Sequence, residues 1–209
     1  MTLKTVFGNY NKQTGVLHVS NHKVANTSID CELCEHGFTS RGFQSVNVPC
    51  LNYVFAFVRN PFDRLVSRYE HLRRRRSQSP KVLTGSPQDN NLRDYFAFVG
   101  SNKPLEFSSF VDFTVVHPDE HWEVQYDKFC RQLGSIDCLD FIGRYENLQP
   151  DFEKACIACH IPVRQLRRCN STCRKPYAEY YDSRTRQLVA EVYEKDLEVF
   201  GYEFGRVQL

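Results

Sequence analysis

The chain has 209 residues, of which 41% are hydrophobic and 25% charged, and its formal net charge is +2. This suits a single globular domain over residues 1–209 and excludes disordered, collagen-like and coiled-coil chains. Its longest apolar run, Tyr53–Val58, falls far short of the ~20 residues that cross a bilayer, and Met1–Lys12 lacks the apolar region of a signal peptide. The expectation is a cytoplasmic protein, unless an upstream segment precedes this chain.

The first predicted element is a short buried strand over Val16–Ser20. A polar turn follows at Asn21–Asn26. Thr27 or Ser28 then caps a helix running towards Cys34. Tyr53–Val58 is a fully apolar strand, as expected in the middle of a parallel sheet. Asn60 is the N-cap of the next helix and Pro61 its first residue. Phe62, Leu65, Val66, Tyr69 and Leu72 share one face of that helix, which ends in the run Arg73–Arg76.

Ser77–Asn91, rich in Ser, Pro, Gly, Asn and Gln, reads as a mobile surface loop. Leu92–Val99 and Leu105–Phe113 read as short helices, and His117–Cys130 as helical after Pro118. Phe141–Gly143 is a third strand, followed by a helix over Leu148–Cys159. Pro162–Pro176 is an irregular basic segment. Ser183–Phe200 closes the chain as one amphipathic helix. Strands alternating with helices predict an α/β fold, a parallel sheet flanked by helices on both faces.

Nine cysteines include the close pairs Cys31/Cys34, Cys156/Cys159 and Cys169/Cys173. The two CxxC pairs lie too far apart for the usual zinc spacing. Cys156–His160 matches the haem-attachment pattern but falls in a predicted helix. Buried free thiols are the favoured reading. The sequons at Asn26 and Asn170 are expected to be unmodified at Asn26, where a glycan would obstruct the first loop.

Charge is unevenly distributed. Arg59, Arg64, Arg68 and Arg73–Arg76 face only Asp63 and Glu70, and Arg164–Lys175 is a second basic island. The arginine run at the helix end reads as a solvated face, where cations also favour the helix dipole. The competing reading is attraction of an acidic acceptor. Nucleic-acid binding is disfavoured, because aromatics are not interleaved with the basic runs.

Two strand–loop–helix units carry the chemistry. Ligands of open α/β sheets bind beyond the carboxyl ends of the strands. Ser20–Ser28 combines helix N-terminal amides, a lysine and hydroxyls, which together cradle an anion. It is not a Walker A motif, which disfavours an ordinary P-loop NTPase. Arg59–Ser67 places an arginine at a strand end and a serine two turns into a helix, a grip for a second anion. One ligand with two separated anionic groups satisfies both loops.

These residues resemble the type 2 sulfotransferase family, which includes Golgi carbohydrate sulfotransferases. Val19–Ile29 looks like its 5′-phosphosulfate loop and Phe57–His71 like its 3′-phosphate motif. Asp119–Cys130, Phe141–Phe152 and Lys175–Phe204 resemble later blocks. The resemblance implies a P-loop-NTPase-like sulfotransferase fold. It also implies a sulfuryl donor, 3′-phosphoadenosine 5′-phosphosulfate (PAPS), and a hydroxyl acceptor, a carbohydrate. A Golgi-lumenal location follows if an upstream anchor exists. On this reading Lys23 neutralises the leaving oxygen, and His22, Asn26, Thr27 and Ser28 complete the 5′-phosphate cradle. Arg59 and Ser67 hold the 3′-phosphate, while Arg174, Lys175 and Tyr177 close over the nucleotide. His121 is the expected general base, with His18, His22, His117 and Glu120 as further candidates. Trp122 and Gln125 shape the site. No metal is called for, because lysine and amides supply the positive field. The alternative is a non-catalytic module of the same fold that binds a nucleotide or an anionic glycan.

Overall fold

The computed structural model describes residues 3–78, 87–100, 104–167, 169 and 174–206. Its centre is a five-stranded sheet of β1 (Lys4–Asn11), β2 (Val16–Val19), β3 (Gly42–Val46), β4 (Tyr53–Val58) and β5 (Phe141–Arg144), in the order β3-β1-β2-β4-β5. The three strands read from the sequence are β2, β4 and β5. They pair in parallel, with Leu17 opposite Val54 and Phe57 opposite Gly143. The sheet as a whole is mixed, which corrects the expectation of a parallel one. β1 runs antiparallel to both β2 and β3. Neither flanking strand is an apolar run. β1 carries Lys4, Thr5, Asn9 and Asn11, and β3 is an edge strand whose Phe43 is exposed.

Gly8, which looks like a turn residue, sits inside β1 because a Cβ there would lie 2.0 Å from the His18 carbonyl oxygen. Gly143 in β5 is likewise required, since its Cβ would meet the Phe57 ring at 2.3 Å.

Both faces of the sheet are covered. On one face, Val16, Phe55 and Phe57 pack against α1 (Asn26–Cys34) and α6 (Leu148–Ala158) through Ile29, Leu33 and Phe152. On the other, Leu17, Val19, Ala56 and Val58 meet α5 (Gln125–Leu133) and α8 (Glu194–Phe200) through Phe129, Leu133 and Phe200. A separate helical lobe joins α2 (Pro61–Gln78), α3 (Pro87–Val99), α4 (Phe107–Val116) and α7 (Ser183–Val192). Its core is Phe62, Leu65, Val66, Tyr69 and Leu72, the predicted face of α2, packed on Phe110, Trp122 and Tyr193.

Several boundaries differ from expectation. The N-cap of α1 is Ala25, so Thr27 and Ser28 lie in its first turn and supply no side-chain cap. Asn60 does cap α2, its Oδ1 accepting from the Phe62 amide at 3.1 Å. Of the predicted loop Ser77–Asn91, residues 79–86 lie outside the described residues, while α3 already begins at Pro87. The chain is not helical from Pro118 to Val124, because Asp119 folds back on the next turn and its Oδ1 accepts from the His121 amide. The C-terminal amphipathic stretch is two helices, broken at Tyr193 (φ −105°, ψ 20°). Its phenol donates to the Trp122 carbonyl at 2.5 Å, a tether that fixes the bend. Arg168, Asn170 and Cys173 lie outside the described residues. The described cysteines are free thiols, but Cys31, Cys34 and Cys50 are exposed and only Cys156 and Cys159 are buried among them, which corrects the expectation of buried thiols. No helix among the described residues is long and apolar enough to cross a membrane.

Candidate functional site

The strands β2, β4 and β5 run parallel, so their carboxyl ends share one edge of the sheet. That edge opens into a cavity of about 950 Å³. Each of the three strands sends a loop into its wall. His22, Lys23 and Asn26–Ser28 follow β2, Arg59 and Ser67 follow β4, and Tyr145–Pro150 follow β5. The segment between α4 and α5 adds His121, and the basic segment after α6 adds Arg174.

The β2–α1 loop is tightly wound. Lys23 (φ 67°) and Ala25 (φ 64°) both take the left-handed conformation, which costs non-glycine residues about 1–3 kcal/mol each and concentrates at functional sites. The turn places the N-terminus of α1 in the cavity wall, and no side chain caps it. Asn26 and Ser28 are buried and Thr27 is exposed to the cavity. The Asn26 Oδ1 has no hydrogen-bond partner among the described residues. Burial first, then the charges of Arg68, Arg59, Arg74 and Arg64, push the Lys23 ammonium down to about 7. A lysine held this way gains from any anion that enters.

Arg59 is fixed from three sides. Its guanidinium donates twice to Asp63 Oδ2, at 2.9 and 2.7 Å, and once to the Lys23 carbonyl at 2.9 Å. It also lies 3.8 Å from the centre of the Tyr145 ring. Arg174 pairs with the other oxygen of Asp63. Burial raises the Asp63 pKa, but the two arginines outweigh it and hold the carboxyl below its usual value. Arg59 thus forms a salt bridge with Asp63 at the end of its strand while lining the cavity.

Gln125 braces this corner from behind the wall. Its Oε1 accepts from Asn21 Nδ2 at 2.8 Å and from the Arg59 amide at 3.0 Å. Its Nε2 donates to the Arg59 carbonyl and to Asp196. Glu146 accepts from the Asn60 amide at 2.8 Å and from the Tyr202 hydroxyl at 2.9 Å. Buried Arg64 donates to the carbonyls of His22 and Glu123, tying the first loop to the segment that carries His121.

His121 Nδ1 lies 2.6 Å from Asp119 Oδ1. The other oxygen of Asp119 accepts from Asn91 Nδ2 at 2.8 Å, and Asn91 Oδ1 accepts from Arg68 at 3.2 Å. Burial lowers the His121 pKa, Asp119 raises it and Arg68 lowers it, with a net fall. The His22 ring sits 4.4 Å from that of His121, and burial takes its pKa down to about 4. Glu120, 3.6 Å from His22, lies outside the wall.

The remaining expected residues are elsewhere. His18 is enclosed in the sheet with Asn9, and His117 stacks on Phe113. Trp122 is a core residue bonded to the His117 carbonyl. Lys175 is exposed outside the cavity wall, and the Tyr177 hydroxyl turns instead to Asn60 and the Gly205 amide. Sequence reasoning missed Arg68 and His71 as wall residues, and also Tyr145–Asn147. His71 stands four residues after Ser67, hence on the same helix face. Tyr145 follows the third parallel strand, so the carboxyl-end rule reaches it.

Among the described residues, no group of three or more His, Cys, Asp or Glu side chains is arranged to hold a metal ion. Comparison with curated proteins and with solved structures gives no match. Residues 35–203 match the family model described as the sulfotransferase family. That span holds the Arg59 turn, the His121 segment and the C-terminal helices, and begins after the Lys23 loop. It covers more than half of the chain, and with the α/β architecture it identifies the chain as a member of the type 2 sulfotransferase family.

Proposed function

We propose that the protein transfers the sulfuryl group of PAPS to a hydroxyl of a carbohydrate acceptor. The observation that carries this reading is the meeting of the Lys23 loop and the Arg59–Ser67 helix in one cavity rich in positive charge. The residues fit the donor. Eight cationic side chains line the cavity against one carboxylate among the described residues, and that carboxylate, Glu146, is already engaged. The N-terminus of α1, which carries no side-chain cap, and the depressed Lys23 both mark a place that favours an anionic ligand.

When bound, PAPS supplies an activated sulfuryl group on a phosphate leaving group. Thr27, Ser28 and the amides of α1 hold the 5′-phosphate. Arg59, Ser67 and Arg174 hold the 3′-phosphate, and Leu148 and Pro150 offer an apolar rim to the base. With the Nδ1 proton donated to Asp119, His121 Nε2 is free to accept the acceptor proton as the new S–O bond forms. Lys23 compensates the charge left on the phosphate oxygen as the bridging S–O bond breaks.

The test is transfer of labelled sulfuryl from PAPS to a glycan mixture. Lys23→Ala is expected to lower the rate at saturating donor about 10²–10³-fold and also to weaken PAP, the donor without its sulfuryl group, because the ammonium pairs with the bound anion. Unchanged turnover in Lys23→Ala contradicts the role assigned to it.

A further inference from the structure

β1 is longer than its partner β2. Gly8 faces Val19, the last residue of β2, so Lys4–Phe7 lie beyond that strand and pair with β3. The two strands thus continue as a ribbon past the carboxyl end of β2, the edge at which the cavity opens. Side chains alternate along a strand. Val6 turns to the core shared with Leu17 and Val19. Thr5 and Phe7 take the other face, directly opposite Ser45 and Phe43 of β3. That face is open at the ribbon. Thr5, Ser45 and Phe43 are exposed, Phe43 to 75%, and Phe7 is half-buried.

A row of rings joins this face to the chemistry. Phe43 lies 5.3 Å from Phe7, Phe7 stacks on His22 at 5.9 Å, and His22 lies 4.4 Å from His121. His22 and His121 belong to the cavity wall, as does Arg41, the residue before β3. The ribbon therefore borders the cavity beside the group that activates the acceptor. An exposed aromatic on an edge strand invites aggregation, and an open apolar surface next to a site marks a binding groove. The four residues are two rings and two hydroxyls, with no charge among them. The C–H groups on the flat side of a pyranose meet the negative face of an aromatic ring, and neighbouring hydroxyls exchange hydrogen bonds with those of the sugar.

We propose that Phe7 and Phe43, flanked by Thr5 and Ser45, form a platform on which pyranose rings of the acceptor stack at a distance from the hydroxyl that is sulfated. This rests on the carbohydrate acceptor proposed above and specifies its class: an oligosaccharide, one sugar of which reacts at His121 while others lie on the ribbon through uncharged faces.

The experiment uses the full chain saturated with PAP. Calorimetry measures the binding of carboxyl-reduced chondroitin and of N-acetyllactosamine, each as disaccharide, tetrasaccharide and hexasaccharide. In at least one series the hexasaccharide is expected to bind about ten-fold or more tightly than the disaccharide. Phe43→Ser is expected to abolish this gain with length and to leave disaccharide and PAP affinity unchanged. Phe43→Trp, which keeps a ring, retains the gain, as does Ile157→Ser, a change of an equally exposed apolar residue on α6. Equal binding at all lengths, no binding at any length, a gain that survives Phe43→Ser, or an equal loss in Ile157→Ser overturns the platform. So does sedimentation showing a wild-type dimer that Phe43→Ser dissociates, since a second copy then covers the ribbon. Sulfuryl transfer that proceeds without dependence on acceptor length overturns the platform and leaves the donor reading standing. A wild-type chain that does not bind PAP strikes the donor reading itself, and the platform falls with it.

Discussion

Lys23 combines a strained backbone, partial burial and four nearby arginines, and this combination has a measurable consequence. In the free protein its pKa is pushed down to about 7, and a bound anion returns it towards 10.5. Between those values the complex holds more protons than the free protein. Binding of PAP is then accompanied by proton uptake, and its affinity falls as pH rises above about 7, by up to about ten-fold per pH unit. Calorimetry in two buffers of different ionisation enthalpy from pH 7.5 to 9.5 reads this directly, and a flat affinity contradicts it. Asp119 gives a second prediction at this scale. Asp119→Asn removes the charge that orients His121 while leaving a side chain of similar shape. It is expected to lower kcat by about 10²–10⁴-fold and to alter the pH profile of kcat, with PAP affinity unchanged. A parallel loss of PAP affinity would mean that Asp119 only supports the fold.

At the scale of elements, the site depends on three parallel strands ending at one edge. Gly143 is a point where that arrangement is least tolerant. Gly143→Ala drives a methyl into the Phe57 ring on the neighbouring strand, and overpacking of this kind costs about 1–3 kcal/mol. A lower urea midpoint at unchanged m value is the expected result. The parallel strands were legible in the sequence because β2 and β4 are apolar runs and β5 a short one, each followed by turn residues. β1 and β3 were not, because β3 pairs with β1 at long range and the polar residues of β1 are satisfied by partners that no local pattern names. Asn9, for instance, bonds to the Thr39 carbonyl and to His18. The bend at Tyr193 was hidden for the same reason: the apolar period of the last two helices is continuous, and the hydrogen bond from Tyr193 at the break goes to Trp122, far away in the chain.

At the scale of the whole molecule, a net charge of +2 conceals a strong asymmetry. Eight cations and one carboxylate face the same cavity among the described residues. The two loops after β2 and β4 that line the cavity were readable because each is a short stretch next to its strand. The α2 face and the β5 loop became part of the site only once the fold set them opposite those loops. The proposed transfer requires this cavity to be a nucleotide site with two anionic ends, and thermal unfolding with and without PAP tests that most directly. At a hundred times its dissociation constant, PAP adds about 2.7 kcal/mol, which in a domain of this size raises Tm by about 5–10 °C. The rise should depend on concentration, shrink with adenosine 5′-monophosphate in place of PAP, and disappear in Arg59→Ala measured against its own ligand-free baseline. A folded wild-type chain whose Tm does not move at millimolar PAP contradicts the central claim.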